Sequence, residues 1–215
     1  MINFKNTISN FTNANRGTRF AGTQICEDYY WGTYHNGTPN QIKPRKDGCS
    51  FSANSLTNKG VIIIVAESPH TQEFSFSKNA HQNHCTGFRS PLHRCDHRIS
   101  KYLSKNSNNW FSTTSTYDIV LVNAIQYQCS FGLPLWNYPT NQKQRDNVFI
   151  WTWDNEPAKN DLLDRIDIIT AKKGEVIILN CCTKKLKKYC NSSLFLNTHN
   201  VPYFRVFDER HPSTW

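Results

Sequence analysis

The chain has 215 residues, 38% of them hydrophobic, which is enough for one domain with a real core and excludes disorder as the main state. Twenty-five Lys and Arg against 16 Asp and Glu give a formal net charge of +9, a balance that favours polyanionic partners such as nucleic acid. No run of eighteen apolar residues exists, and the polar stretch after Met1 lacks a signal-peptide pattern, so a soluble, cytoplasmic protein without membrane contact is expected.

Residues 1–58 are rich in Asn, Thr, Gly and aromatic side chains with little periodicity. They read as a loop-rich N-terminal extension with short helices and room for a small appended sheet. Within it, Lys43-Pro44-Arg45-Lys46 reads as a solvated turn, with a phosphate contact as the alternative. Regular structure begins at Val61–Ala66, a continuous β-branched run bounded by Gly60 and Pro69 that predicts a buried strand. Helical stretches are predicted over His97–Leu103, Asp161–Thr170 and Thr183–Tyr189, and further strands over Tyr117–Ala124, Glu175–Asn180 and, more weakly, Tyr203–Phe207. This alternation predicts a single α/β domain, a three-layer α/β/α core over 59–215 with a central parallel four-stranded sheet. In such sheets ligands bind beyond the carboxyl ends of the strands. The residues there are Glu67-Ser68-Pro69-His70, Asn123 onward, Asn180-Cys181-Cys182 and Asp208 to Ser213.

Eight cysteines without a CxxC pair read as mostly reduced thiols. His81, His84, Cys85, His93, Cys95 and His97 crowd one segment, but their spacing matches no standard zinc finger, so exposed or DNA-facing histidines are expected there and no metal is assigned, with a structural zinc on Cys85, Cys95 and two histidines as the alternative. Asp161, Asp164 and Asp167 recur at helical spacing and read as an exposed helix face. Lys184, Lys185, Lys187 and Lys188 read either as a solvated face or as a phosphate-contacting one.

Three strand ends together resemble the signature of the uracil-DNA glycosylase superfamily. Ala66-Glu67-Ser68-Pro69-His70 is similar to its first motif, which reads GQDPY, GEAPG or GINPG in different branches. Val120-Leu121-Val122-Asn123-Ala124 is similar to the strand that presents the base-reading Asn, and His211-Pro212-Ser213-Thr214-Trp215 resembles the HPSPL motif. The resemblance spans Val61 to Trp215 and leaves the first sixty residues unexplained.

The resemblance implies a monofunctional DNA glycosylase, active as a monomer without a cofactor, that flips a pyrimidine out of DNA and hydrolyses its N-glycosidic bond. It implies that His211 donates a hydrogen bond to the pyrimidine O2 as negative charge develops there. Asn123 reads the Watson–Crick edge, Phe88 stacks on the flipped base, Pro69 and Ser213 compress the flanking phosphates, and Trp215 stands in place of the wedge Leu. Arg89, with Arg94 and Arg98, lines the DNA-facing rim or pairs with carboxylates. Two positions depart from the pattern. Ser68 replaces the water-orienting Asp, so Glu67 beside it becomes the residue expected to orient water or stabilise the sugar cation. His70 faces the C5 side of the base, where it either blocks that position or recognises a polar substituent, making C5-modified pyrimidines, as in phage defence, the rival to uracil and DNA repair. A catalytically inactive nucleic-acid-binding protein of the same fold is the alternative reading.

Overall fold

A strand that must be buried on both faces and paired on both edges sets the arrangement. The structure is a computed structural model that describes residues 25–35, 38–41, 52–69, 73, 95–110, 116–126, 129, 146, 149–150, 152–154, 158–195 and 203–215. In chain order these form β1 (Tyr29–His35), β2 (Thr38–Gln41), β3 (Gly60–Ala66), α1 (Asp96–Trp110), β4 (Thr116–Asn123), α2 (Ala158–Thr170), β5 (Glu175–Asn180), α3 (Lys184–Leu194) and β6 (Tyr203–Asp208). Short 3-10 turns cover Ala53–Ser55 and Pro212–Thr214.

The strands make one six-stranded sheet in the order β2-β1-β4-β3-β5-β6. Neighbours among β4, β3, β5 and β6 are parallel, whereas β1 pairs antiparallel with both β4 and β2. The expectation of a four-stranded sheet is therefore corrected to six, and part of the N-terminal extension belongs to the sheet. The physical reason lies in β4. Its residues from Tyr117 to Asn123 are all buried, and a buried strand cannot leave one edge of its backbone unpaired. β1 supplies the missing partner, with only Asn36-Gly37, a strong two-residue hairpin signal, between it and β2 in sequence. The register against β4 shifts between Tyr30 and Gly32, which makes Trp31 the extra residue of a bulge. Its ring is fully buried and its Nε1 donates to Asp96 Oδ1 of α1 at 3.1 Å.

Helices cover both faces of the sheet. Val61, Ile63 and Val65 of β3 point with Val120, Val122, Val176 and Ile178 toward Leu162 and Ile166 of α2 and Leu186 and Cys190 of α3. Ile62, Ile64 and Ala66 point the other way, toward Ile99 and Leu103 of α1 and the rings of Trp31, Tyr34 and Tyr117. Period-two alternation thus splits one apolar run between two cores, which is why β3 reads as continuous rather than alternating. Gly60 sits in register with Tyr117. A Cβ there would meet the Tyr117 ring at 2.4 Å, so glycine is what lets that ring cross the start of β3.

The amino ends of the strands are closed by a buried ion pair. Lys173 Nζ meets Asp118 Oδ2 at 2.9 Å, with the two side chains 4% and 0% exposed. Asp118 also accepts from Tyr30 Oη, Asn58 N and Asn58 Nδ2, and Lys173 also donates to the carbonyls of Leu56 and Asn58. Every Lys173 proton has an acceptor, the condition under which a buried pair is tolerated. Lys173→Met leaves the Asp118 carboxylate buried without its cation and is expected to lower unfolding free energy by about 3–5 kcal/mol. Urea denaturation checks this, and a loss under about 1 kcal/mol contradicts it.

Candidate functional site

The chain runs from β3 to β4 on one side and then to β5 on the other, so the sheet reverses its direction of growth at β3 and β5. In open α/β sheets ligands bind beyond the carboxyl ends of the strands at such a reversal. Glu67, Ser68 and Pro69 leave β3 there, with Glu67 6% exposed, Pro69 buried and Ser68 half-buried. Asn123 closes β4 in register with Ala66 and is fully buried. Pairing continues past the strands, since Ala124 N donates to Ala66 O at 2.7 Å and Ile125 N to Glu67 O at 3.1 Å. Glu67 and Asn123 therefore stand on neighbouring strand ends, about 5 Å apart in the sheet direction. His211 follows β6, two strands from β3, where Glu209 N donates to Asn180 O. His70, Phe88 and Arg89 lie outside the described residues.

Asn123 belongs to a buried polar cluster that sequence reasoning did not find. Its Nδ2 donates to Glu73 Oε2 at 3.5 Å, and Cys26 Sγ donates to the same oxygen at 3.7 Å. Burial, and next the Glu73 carboxylate, push the Cys26 thiol well up. Arg165 of α2 braces the same strand end, donating from Nη2 to Asn123 O at 2.9 Å and from Nη1 to Asp28 Oδ1 at 2.6 Å. Its Nε donates to Asp161 one turn earlier, and Asp164 and Asp167 are exposed on the helix face as expected. The contrast with the amino-end ion pair is Asn123 Oδ1, a buried acceptor with no hydrogen-bond partner. A buried polar atom left unpaired costs about 1–3 kcal/mol, and such groups mark strain or a place for a ligand.

His211 is held by its own loop. Ser213 N donates to His211 Nδ1 at 3.2 Å, and Ser213 Oγ lies 2.8 Å from the same nitrogen. Nδ1 is thereby an acceptor, so the proton of the neutral ring sits on Nε2. Trp215 stacks on Tyr102 of α1 at 4.0 Å between centroids and 11° between planes. The ring offered as a wedge is thus seated on α1 and partly buried. Lys184 is exposed, whereas Lys185 Nζ pairs with the buried Asp146 at 3.2 Å.

Cys26, Cys95, Cys129, Cys181, Cys182 and Cys190 are buried free thiols. Among the described residues no cluster of three or more His, Cys, Asp or Glu is arranged to hold a metal, and Cys95 and His97 alone of the crowded His/Cys segment are described. No helix of the described residues is long and apolar enough to cross a membrane.

The chain matches no protein-family model and no curated protein.

The Arg165 brace is charged against a cost. Burial outweighs the pull of the Arg165 guanidinium and raises the Asp28 carboxyl to about 6. With an unfolded value near ~4, the native state holds an extra proton between about pH 4 and 6, so the Asp28 contribution to stability is full below that window and falls as pH rises through it. Asp28→Asn removes the titration. The stability of the natural protein minus that of the variant is expected to drop by about 2 kcal/mol between pH 4 and 7 in urea denaturation, and parallel pH curves contradict the assignment.

Proposed function

We propose that the protein is a monofunctional DNA glycosylase of uracil-DNA glycosylase-like fold that removes a flipped-out pyrimidine and leaves an abasic site. The observation that carries the reading is the buried, unpartnered Asn123 Oδ1 on the same sheet edge as Glu67 and His211. An amide oxygen there has the chemistry to accept from an N–H of a base, and it costs stability while it has no donor. His211 supports the same reading, because Nδ1 accepts from Ser213 and the ring offers an Nε2 proton to an oxygen that gains charge. Glu67 is the carboxylate for water or for the oxocarbenium-like sugar, in place of the Asp that Ser68 replaces. The net charge of +9 suits a DNA partner.

The mechanism follows from these placements. The flipped base is held by Asn123, bond cleavage pushes charge onto the pyrimidine O2 where His211 donates, and Glu67 faces the positive sugar and its incoming water. Excised uracil makes the protein a repair enzyme, and excision only of a C5-modified pyrimidine makes it a defence enzyme against modified phage DNA.

The test is an assay on matched duplexes containing uracil, a thymine mismatch, 5-hydroxymethylcytosine or its glucosylated form, read as alkali-labile abasic sites. His211→Ala is expected to lower turnover about 100-fold or more while DNA affinity changes little. Asn123→Ala is expected to erode discrimination between bases. Salt-dependent binding with no product from any duplex refutes catalysis and leaves a nucleic-acid-binding protein.

A further inference from the structure

Thr183 stands at the N-cap of α3 with extended backbone angles, φ −62° and ψ 151°, yet its side chain makes no capping hydrogen bond. Its carbonyl serves the helix, accepting from Leu186 N and Lys187 N at 2.9 Å each. The hydroxyl is used elsewhere. It donates to Glu67 Oε2 at 2.7 Å, linking the turn after β5 to the end of β3. A capping hydroxyl is typically worth about 1 kcal/mol to a helix, so its diversion marks the carboxylate as the partner the local structure serves.

We propose that Thr183 is a positioning residue that holds the Glu67 carboxylate in its working orientation. The proposal rests on the glycosylase reading of the site. The last torsion of a Glu side chain is broad and two-fold, so rotamer preference alone does not aim its oxygens. A donor on one oxygen supplies that aim, as a supporting residue does for a reacting group. The turn carrying Thr183 is itself braced. Asn180 Oδ1 accepts from Cys182 N at 3.2 Å, and Asn180 Nδ2 donates to Asn191 Oδ1 at 2.6 Å and Lys187 O at 3.2 Å. Glu67 is anchored from the other side by the Ile125 N bond to its carbonyl. The carboxylate is thus fixed between the β3–β4 ladder and the β5–α3 turn.

Thr183→Val keeps the shape and removes the donor, whereas Thr183→Ser keeps the donor. Both are compared with the natural protein, Glu67→Gln and the Glu67→Gln/Thr183→Val double variant, on the same panel of duplexes at saturating DNA, with affinity for each duplex measured separately. The expected result is a fall in turnover of about tenfold or more for Thr183→Val with DNA affinity unchanged, restoration by Thr183→Ser, and no added effect of Thr183→Val once Glu67 is Gln. Full turnover in Thr183→Val, failure of Thr183→Ser to restore, or an equal loss in the Glu67→Gln background overturns the proposal. If Thr183→Val does not fold by circular dichroism, Thr183→Ala carries the same comparison. Product from the natural protein with no effect at Thr183 sinks this proposal alone, whereas no product from the natural protein on any duplex sinks the glycosylase reading and this proposal together.

Discussion

Everything in this fold depends on β3 having neither a free edge nor a solvent-facing side. All seven of its residues are buried, with β4 on one edge and β5 on the other. Under that constraint no polar side chain is tolerated between Gly60 and Ala66, because each would need a buried partner on a face already filled by aliphatic groups. Polar side chains are displaced to the first residue past the strand, Glu67. The same logic applies to β4, whose apolar middle separates Asp118 at one end from Asn123 at the other.

The two polar ends of the sheet differ in how far their hydrogen bonds are satisfied. At the amino end, Asp118, Lys173, Asn58 and Tyr30 satisfy one another and close the structure. At the carboxyl end, Arg165 secures the main chain of Asn123 and ties it to Asp28, but the Asn123 side-chain oxygen is left without a partner. A closed network contributes rigidity, whereas an open one holds unspent hydrogen-bonding capacity at a defined point. The raised Asp28 carboxyl is the energetic counterpart, since burial of that group works against the ion pair that holds the strand end in place.

Much of the scaffold was legible because its strands are apolar runs of the length only buried strands have. Gly60–Ala66, Thr116–Asn123 and Glu175–Asn180 differ from their sequence-based ranges by a residue at most at either end, and β6, the weaker run, extends one residue past its range to Asp208. The helices were placed but drawn short. α1 runs on to Trp110 because Ser104 to Asn109 are polar yet compatible with a helix, and periodicity fades where apolar residues are sparse. β1 was missed because Tyr29 to His35 mixes aromatics with Gly and Thr, a composition shared with loops, and only pairing with β4 makes it a strand. At the site, Glu67, Asn123 and His211 could be read from their place after strands. Glu73, Asp28, Arg165 and Thr183 could not, because their meaning lies in contacts to residues 47 or more positions away, or 42 for the Arg165 bond to Asn123.

By itself, the sequence determined the α/β alternation and the edge on which the polar residues collect, since both follow from local runs and from what ends them. Only the tertiary structure decided that β1 and β2 extend the sheet and that β3 lies between β4 and β5. It also decided that the Thr183 hydroxyl serves Glu67 instead of its own helix. The reason is that apolar strands are interchangeable as partners when read one at a time, and a hydroxyl at a helix start has equal local claim to the helix. Which neighbour each one takes is settled only when burial and backbone pairing are satisfied over the whole sheet together.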